Sequence, residues 1–517
     1  MNRLWYRILF NASGKPRRWT RRVVFRKDRS VRPLFHRLVY KRSGVIRPHW
    51  ANWVAAAPTD VGADLPSAQE LALRKLRPFE QTIANWRRAE RLPTLITARQ
   101  LIDRLKQLGE AASAGIVLAA SHDNYREIPG GVQVCLQHEE RAAVARHFAY
   151  LQFHPAQPLP CLAPAGEHRD LPVTLLLNGA PIGTAAMAEL MAAVKHCVST
   201  GRAVRFVVHH LLGHSPEALV ELALAARLKD VIFWLHDFFT LCPSFTLLRN
   251  GLAFCGAPDA GSNACGICVY GPSRREHQAR IAAFFRALPM QVVAPSQVTA
   301  DFWLGKAGLP VQSVAVVPHI TLEERPRIAP APVDERAPIT VGYLGAAVTH
   351  KGWPVFADLM TRHSGSGTRF VVFSSQRPGK GEHEWHHVHV TAETPDAMSD
   401  ALTRARIDIV LHWAACLETF SFTTFEALSA GAFVLTNPGS GNVQAVVRST
   451  GRGAVIEDVP ALHRLFAGDG LARLVAARRA RAAATELKVY RSAMSFDLPG
   501  WRQPWPCTLT QASPSAI

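Results

Sequence analysis

Long apolar runs are missing from this sequence, and acidic residues are nearly missing from its first fifty positions. No run approaches the roughly 18 to 20 consecutive apolar residues of a bilayer-spanning helix. The apolar run in the opening stretch, MNRLWYRILFNASGKPRR, is too short for the hydrophobic region of a secretory signal. Nine cysteines at irregular spacing over 517 residues do not form the pattern of a secreted disulfide framework. We therefore expect a cytoplasmic protein with reduced thiols.

Basic charge is concentrated at the N-terminus. Residues 1–50 contain fifteen Lys or Arg and one acid, Asp28, so they carry +14 of the net charge of +19. Three segments begin fifteen residues apart, each running from an aromatic residue through a polar turn and basic residues with proline to a second aromatic residue: FNASGKPRRW, FRKDRSVRPLF and YKRSGVIRPHW. Units this short cannot form a core singly, so they predict small hairpin or turn elements with solvated cations.

This basic arm has three candidate roles. Aromatic residues interleaved with cations suit an anionic membrane surface, here the inner face of the plasma membrane. They also suit single-stranded nucleic acid. A solvated tail or an oligomer contact is the third interpretation. We favour the membrane surface and do not expect nucleic acid as a partner.

The rest of the chain is long enough for two domains, each with its own core. Residues 51–112 have apolar residues at helical spacing and predict a polar helical connector. Residues 113–322 and 339–487 each alternate short apolar runs with helical segments, which is typical of doubly wound parallel sheets. Such sheets bind ligands at the carboxyl ends of their strands, so two of them would face a shared cleft.

Two further segments differ in composition. Residues 323–338, EERPRIAPAPVDERAP, predict a proline-rich linker between the two domains. Residues 488–517, with Trp501, Trp505 and four prolines, predict an irregular C-terminal tail on the surface.

The second domain resembles a known family. VGYLGAAVTHKGW and ETFSFTTFEALSAGAFVLTN are similar to the donor-binding domain of group-1 retaining glycosyltransferases of the GT-B fold, which use nucleotide sugars. The resemblance covers about residues 114–487, and its most specific feature is the pair Glu418 and Glu426, eight positions apart before ALSAGAFVLT. It implies an α/β protein of two Rossmann-like domains.

The resemblance also implies roles in donor binding. Glu426 would accept both ribose hydroxyls, and Glu418 would face the sugar. The backbone amides of Thr419, Phe420 and Ser421, at a helix N-terminus, would face the diphosphate. Lys351 would stabilise charge on the leaving phosphate.

One position departs from the family pattern. The family usually has an arginine directly after the glycine equivalent to Gly345, and here Ala346 stands there. One diphosphate cation is thus missing, and His350 or an arginine elsewhere is a candidate replacement.

The first domain resembles the acceptor side of the same family. Gly130 and Gly131, after the first strand, would let backbone approach the donor. The resemblance assigns His236, in WLHDFF, to orienting the donor sugar or to catalysis. His209 and His210 end a neighbouring strand and are candidates for the acceptor side or for a structural role.

Four cysteines cluster within residues 242–270, in an insertion of the first domain: Cys242, Cys255, Cys265 and Cys268. Four thiolates can hold one structural zinc ion, although only the last pair has the C-x-x-C spacing. Free or conditionally oxidised thiols and an iron–sulfur cluster are the alternatives. The set contains no His, Asp or Glu for an open catalytic metal.

The resemblance implies a metal-independent, retaining hexosyl transfer from a nucleoside-diphosphate sugar to a hydroxyl, with no cofactor required for catalysis. Docking of the basic arm at the inner face of the membrane would bring the enzyme to a cell-envelope glycan or a lipid-linked acceptor, so we expect an acceptor of this kind. Two other functions fit the same sequence. One is a nucleotide-sugar epimerase or hydrolase of the same fold. The other is a catalytically weak sugar-nucleotide-binding scaffold, for which Ala346 is the motivating feature.

Overall fold

The computed structural model describes residues 8–11, 16–25, 31–39, 50, 95–157, 159–166, 169–228, 231–328, 337–364, 367–379, 383–391 and 393–501. Most of the expected connector and the end of the C-terminal tail lie outside these residues. The chain divides into two compact units, Met1–Leu71 and Ala72–Ile517. No helix in the described ranges has the length and apolar character to cross a bilayer.

The N-terminal unit contains a structural repeat of fifteen residues. Phe10 pairs with Pro16 and Phe25 with Val31 through single antiparallel bridges. The Arg17 amide donates to the Leu9 carbonyl at 2.9 Å, and the Arg32 amide donates to the Val24 carbonyl at the same distance. The Arg17 and Arg32 guanidinium groups also donate to the carbonyls of Phe10 and Phe25, at 3.2 and 3.4 Å. Helices α1 (Arg18–Val24) and α2 (His36–Val39) follow these turns.

The repeats share a small core. Its buried members are Leu9, Phe10, Val24, Phe25, Val39 and Trp50. The Phe10 and Trp50 rings lie 4.6 Å apart. Phe10, Phe25 and Trp50 are thus core residues, because side chains from successive units together bury what one short unit could not.

In the described part of the second unit, the first helix packs on the first of two lobes. Helix α3 (Ala98–Gln107) starts at a capping box of Thr97 and Gln100 and buries Leu101 and Leu105. Both leucines belong to the core of the first lobe. The described end of the expected connector is thus packed on this lobe.

The first lobe has an eight-stranded sheet in the order β10-β9-β6-β5-β1-β2-β3-β4. Its strands are β1 (Gly115–Ala120), β2 (Phe148–Pro155), β3 (Pro172–Leu177), β4 (Ala180–Ala186), β5 (Val204–Val208), β6 (Val231–Trp234), β9 (Met290–Ala294) and β10 (Ser313–Val316). Its helices are α4 (Gly131–Val144), α5 (Met187–Ser199), α6 (Pro216–Ala225), α7 (Asn263–Gly266), α8 (Gly271–Ala287) and α9 (Gln297–Ala307). A separate short hairpin, β7 (Leu248–Arg249) with β8 (Ala253–Phe254), lies in the cysteine-rich insertion.

The edge of this sheet is antiparallel, which the strand-and-helix pattern did not predict. Strand β3 runs antiparallel to β2 and forms a hairpin with β4. Asn178 and Gly179 form the turn, both with positive φ (48° and 77°). Asn-Gly between two strands is a strong hairpin signal.

The second lobe has a six-stranded parallel sheet in the order β14-β13-β12-β15-β16-β17. Its strands are β12 (Ile339–Leu344), β13 (Thr368–Ser374), β14 (Glu384–His387), β15 (Ile409–His412), β16 (Phe433–Thr436) and β17 (Gly453–Val455). Its helices are α10 (Trp353–His363), α11 (Ala397–Arg404), α12 (Phe422–Ser429), α13 (Asn442–Thr450), α14 (Val459–Ala467) and α15 (Gly470–Ala484). The two lobes together are the expected α/β architecture of two Rossmann-like domains.

The described part of the C-terminal segment, up to Trp501, contains a strand and two short 3-10 helices, whereas its composition predicted irregular chain. Strand β18 (Thr485–Arg491) pairs antiparallel with β11 (Ile320–Pro326), which includes the start of the expected linker. The chain then returns to the first lobe, where Met494 and Phe496 are buried. The Trp234 indole donates to the Ser495 hydroxyl at 3.0 Å.

Candidate active site

Two loops at the carboxyl edge of the second sheet are packed together. The loop after β12 contains Lys351, and the loop after β15 leads to Glu418. The Ala415 amide donates to the His350 carbonyl at 2.9 Å. Gly352 has φ +81°, and a Cβ there would lie 2.1 Å from the Trp413 carbonyl oxygen, so this close approach requires glycine.

The backbone of Glu418 is held by the loop before α13. The Asn442 amide donates to the Glu418 carbonyl at 2.9 Å. Gly441 has φ +63°, and a Cβ there would lie 2.5 Å from the same carbonyl oxygen. Two carboxyl-end loops therefore fix where Glu418 stands.

The Glu418 carboxylate is held in its charged form. Burial alone would raise its pKa, but His412, Lys351 and His350 outweigh burial and lower the pKa to about 2. The His412 Nε2 lies 3.8 Å from the carboxylate, which is longer than a hydrogen bond, so the contact is electrostatic. Glu418 is thus an anion at every pH at which the protein would work.

The pKa of Glu426, on α12, is shifted in the opposite direction. Burial raises its pKa to about 7, with Asp396 adding to the shift while Arg491 and Lys351 oppose it. Lys351 therefore acts on both glutamates, which places the three groups in one electrostatic neighbourhood. Within the described ranges, Lys351 makes no ion pair or hydrogen bond through its side chain.

The position of the missing arginine is exposed, and His350 does not replace its charge. Ala346 is exposed, and its carbonyl accepts the Tyr343 hydroxyl at 2.9 Å. Burial lowers the pKa of His350, and Lys351 lowers it further, so this imidazole is neutral near pH 7. Arg491 is the arginine that acts on Glu426, and it also pairs with Asp396.

Thr419 joins the two lobes. Its hydroxyl donates to the His236 carbonyl at 2.6 Å. Its own carbonyl accepts the hydroxyls of Ser296 and Thr299, at 2.8 and 3.1 Å. The segment expected to face the diphosphate therefore also fixes the second lobe to the carboxyl ends of β6 and β9.

Ser421 and Phe420 shape the N-terminus of α12. Ser421 is the N-cap residue, and its hydroxyl accepts the Thr424 amide at 3.3 Å. The Phe420 ring stacks on Phe425 at 4.5 Å. The positive end of the dipole of this eight-residue helix therefore lies at Ser421, next to the segment that carries Glu418 and Thr419.

His236 ends a hydrogen-bonded chain that sequence reasoning missed. Its Nε2 lies 3.0 Å from His209 Nδ1, and His209 Nε2 lies 2.8 Å from the Glu139 carboxylate. Burial lowers the pKa of His236, and the neighbouring histidines lower it further. Burial would raise the pKa of Glu139, but His209 and Ser495 lower it overall. The chain thus couples a buried carboxylate to a neutral imidazole in the cleft.

Gly131, one of the glycine pair, packs against α12. Gly131 begins α4, and a Cβ on it would meet the Phe422 ring at 3.5 Å. Phe422 in turn stacks on His319 at 5.6 Å. Gly130 is extended rather than left-handed, and a Cβ there would clash with the flexible Gln133 carboxamide.

His210 is hydrogen-bonded within the fold of the first lobe. Its Nε2 lies 2.7 Å from the Asp237 carboxylate, and its Nδ1 accepts the Leu212 amide at 2.9 Å. Both ring nitrogens are used within the fold. His209, by contrast, belongs to the chain that reaches His236.

The four clustered cysteines line one small cavity together with Tyr270 and Arg274. The Arg274 guanidinium lies 2.8 Å from the Cys265 sulfur. Around one zinc ion the sulfurs would be about 3.8 Å apart. Among the residues described, no three of these sulfurs come within 4.8 Å of one another, so the geometry is wider than a zinc site. The zinc ion stays a prediction.

A fifth cysteine, Cys135, is buried in the core of the first lobe beside two histidines. Cys135, His236 and His319 bring potential ligand atoms within 4.8 Å of one another. No sequence motif marks this set, because its members come from α4, the end of β6 and the segment before β11. Glu139 was missed for the same reason, since it stands far from the family motifs in sequence. His412, at the end of β15 and six residues before Glu418, was a local candidate that was overlooked.

Comparisons with known proteins give a fold-level resemblance. No protein-family model matches the chain, and no curated protein matches it in sequence. The Anabaena protein HepE in complex with UDP-glucose is 13% identical with a TM-score of 0.41, over 71% of this chain and 94% of that chain. Sucrose-phosphate synthase from Thermosynechococcus elongatus gives the same values. WaaG, a glycosyltransferase involved in lipopolysaccharide biosynthesis, is 15% identical with a TM-score of 0.40, over 71% of this chain and 95% of that chain. Because these TM-scores are below 0.5, the structural matches carry no argument about function. The function is therefore argued from the side chains of the candidate site.

Proposed function

We propose that this protein is a retaining glycosyltransferase that moves a sugar from a nucleoside-diphosphate donor to a hydroxyl. The observation that carries the proposal is the placement of Lys351, which acts electrostatically on both Glu418 and Glu426 at the carboxyl edge of the second sheet. A nucleotide sugar presents vicinal ribose hydroxyls, a diphosphate and a sugar in that order. The three side chains and the α12 N-terminus offer one complementary group for each part.

In this proposal Glu426 binds the ribose. A carboxylate accepts two hydroxyl hydrogens in charge-assisted bonds. The pKa of about 7 means that Glu426 is part protonated in the free protein, so donor binding would shift it toward its ionised form.

Lys351 and the α12 N-terminus take the diphosphate. The ammonium and the helix dipole both stabilise negative charge, and that charge grows on the leaving phosphate as the bond to the sugar breaks. Ala346 supplies no cation, so Lys351 would carry a larger share of this stabilisation than the family pattern implies. The proposal needs no cofactor or metal ion for this step.

Glu418 and His236 flank the sugar from the two lobes. Glu418 stays ionised, which suits it to accept sugar hydroxyls and to stabilise positive charge at the anomeric carbon. His236, neutral and held by the Glu139–His209 chain, orients the sugar by hydrogen bonding. We propose front-face attack, in which the leaving phosphate takes the acceptor proton, so that the site needs no separate base.

The acceptor that we propose is a hydroxyl of a cell-envelope glycan or of a lipid-linked precursor. A lipid-linked acceptor requires that a cytoplasmic enzyme reach the inner face of the plasma membrane, and residues 1–50 are the segment that we propose does so.

Product analysis tests the reaction class. The full-length protein would be incubated with a panel of nucleotide sugars and envelope-lipid extract, and the anomeric configuration of the product read by NMR. A glycoside with the donor configuration supports the proposal, and its formation should be lost in Lys351→Ala. Free sugar or an isomerised donor without acceptor would instead favour a hydrolase or epimerase. Donor binding with no turnover would favour a scaffold.

A further inference from the structure

The fifteen-residue repeat of the N-terminal unit determines which side chains reach its surface. Four large apolar side chains are exposed in the described part of this unit: Ile8 at 41%, Trp19 at 48%, Val23 at 44% and Leu34 at 92%. They occupy two repeat positions, because Ile8 and Val23 are fifteen residues apart, as are Trp19 and Leu34. An exposed apolar residue at the same position in successive units is therefore a feature of the repeat.

Exposed arginines alternate with these apolar side chains. Arg17, Arg18 and Arg22 flank Trp19 and Val23 in the first unit. Arg32 and Arg37, at the positions equivalent to Arg17 and Arg22, flank Leu34 in the second. Asp28 is the single acid within residues 1–50, so the positive charge of this segment is not balanced internally.

The burial of the aromatic residues distinguishes between two anionic partners. Single-stranded nucleic acid is bound by aromatic rings on which bases stack. Here Phe10, Phe25 and Trp50 are 3% exposed or less, because they form the core of the unit. The exposed repeat positions are filled mainly by aliphatic side chains, which cannot stack on bases but do insert among lipid chains.

We propose that the N-terminal repeat unit binds the surface of an anionic bilayer, with Ile8, Trp19, Val23 and Leu34 entering the headgroup region and the neighbouring arginines contacting lipid phosphates. The positive charge attracts the unit to anionic lipids, and burial of the apolar side chains among the lipids holds it there. This combination is expected of a peripheral membrane anchor. This inference does not depend on the proposed enzymatic reaction.

Vesicle sedimentation of the full-length protein tests the proposal. Vesicles of phosphatidylcholine alone would be compared with vesicles containing about a third phosphatidylserine, at 0.1 M and 0.5 M NaCl. We expect binding to the anionic vesicles that weakens at the higher salt concentration. The double variant Trp19→Ser/Leu34→Ser should weaken it about tenfold at 0.1 M NaCl. The matched control is Leu224→Ser, an exposed leucine (61%) of the second unit, which should bind like the unmodified protein.

Three results would overturn the inference. One is equal binding to neutral and anionic vesicles. Another is the same affinity in the double variant and the unmodified protein, which would leave the apolar positions without a role. The third is tight binding of a single-stranded oligonucleotide with no binding to vesicles. Since Trp19 and Leu34 are exposed, the double variant should keep its thermal unfolding temperature, which shows that a loss of binding is not a loss of folding.

Discussion

The hydroxyl of Thr419, in the second lobe, donates a hydrogen bond of 2.6 Å to the backbone carbonyl of His236, in the first lobe. This bond links the segment that carries Glu418 to the strand end that carries the cleft histidine. Because Ser296 and Thr299 hold the Thr419 carbonyl as well, the second-lobe loop is fixed to the first lobe at two points. The site is therefore assembled only when the two lobes meet here.

Replacing Thr419 tests whether its hydrogen bond to the His236 carbonyl positions the site. Thr419→Val keeps the shape of the side chain but removes the donor, which leaves the His236 carbonyl without this partner. We expect kcat/KM to fall about tenfold, while Thr419→Ser, which keeps the hydroxyl, should stay within about threefold of the unmodified enzyme. Steady-state kinetics on both variants provides the check. Equal activity in the valine and serine variants would show that the bond does not position the site.

The raised pKa of Glu426 predicts a pH dependence of donor binding. Binding to the ribose favours the ionised carboxylate, so the donor Kd should decrease as pH rises toward about 7 and level off above it. Glu426→Gln should bind more weakly and lose this dependence. Glu418→Gln should keep it, because Glu418 has a pKa of about 2 and is ionised throughout. Calorimetric titration between pH 5.5 and 8.5 measures the donor Kd of both variants. A pH dependence of Kd that persists in Glu426→Gln would contradict the assignment of Glu426 to ribose binding.

The same pKa predicts an effect on the stability of the free protein. The folded-state pKa of about 7 lies above the ordinary 4.5, so between these values the folded state binds a proton that the unfolded state has released. The free energy of unfolding therefore decreases as pH rises through this window. Glu426→Gln should be more stable at pH 8 by about 1–3 kcal/mol, and the difference should vanish below about pH 4.5. Denaturant unfolding at the two pH values makes the comparison.

Glu139 should act on catalysis without touching substrate, because its carboxylate orients His209 and thereby His236. Glu139→Gln replaces a pure acceptor by a group that can also donate, so the ring orientation and tautomer of His209 are no longer fixed. We expect kcat to fall about tenfold with little change in donor Kd.

Tyr150→Phe is the matched control for Glu139. The Tyr150 hydroxyl also donates to this carboxylate, at 3.1 Å, but lies outside the chain that leads to His236. Its kcat should change by less than about threefold. A loss of kcat as large as that of Glu139→Gln would indicate a general packing effect. A shift in the pH profile of kcat in Glu139→Gln alone would support the positioning role.

Metal analysis of protein purified under reducing conditions tests the zinc prediction. The prediction is supported by one zinc ion per chain that is lost in Cys265→Ser/Cys268→Ser and retained in Cys161→Ser, a cysteine outside both groups. Zinc that is lost in Cys135→Ser instead would place the ion with His236 and His319. Protein without bound zinc would leave Cys242, Cys255, Cys265 and Cys268 as thiols.

The sequence alone indicates which strand ends carry the candidate donor residues. The loops that contain Lys351 and Glu418 follow β12 and β15, which are neighbours in one parallel sheet, and that shared edge is readable from the alternation of strands and helices. Glu139 and His319 could not be found in the same way, since tertiary packing alone brings them near His236. The Asn178–Gly179 hairpin was a readable local signal.

In the N-terminal arm and the C-terminal segment, too, burial depends on tertiary packing that the local sequence does not show. The fifteen-residue period was visible, but whether Phe10 and Phe25 face water or a core depends on three units packing together. Residues such as Met494 and Phe496 gave no periodic pattern, and they are buried because β18 brings them back to the first lobe.

The central claim is that Lys351 grips the diphosphate of a nucleotide sugar in this cleft. Thermal shift with a panel of nucleotide sugars tests it most directly, because a ligand that binds the folded state raises its unfolding temperature. The account predicts that at least one nucleotide sugar stabilises the unmodified protein and the control Lys306→Ala, an exposed lysine of the first lobe, but not Lys351→Ala. If no nucleotide sugar raises the unfolding temperature at millimolar concentration, or if Lys351→Ala is stabilised as much as the control, the account is wrong.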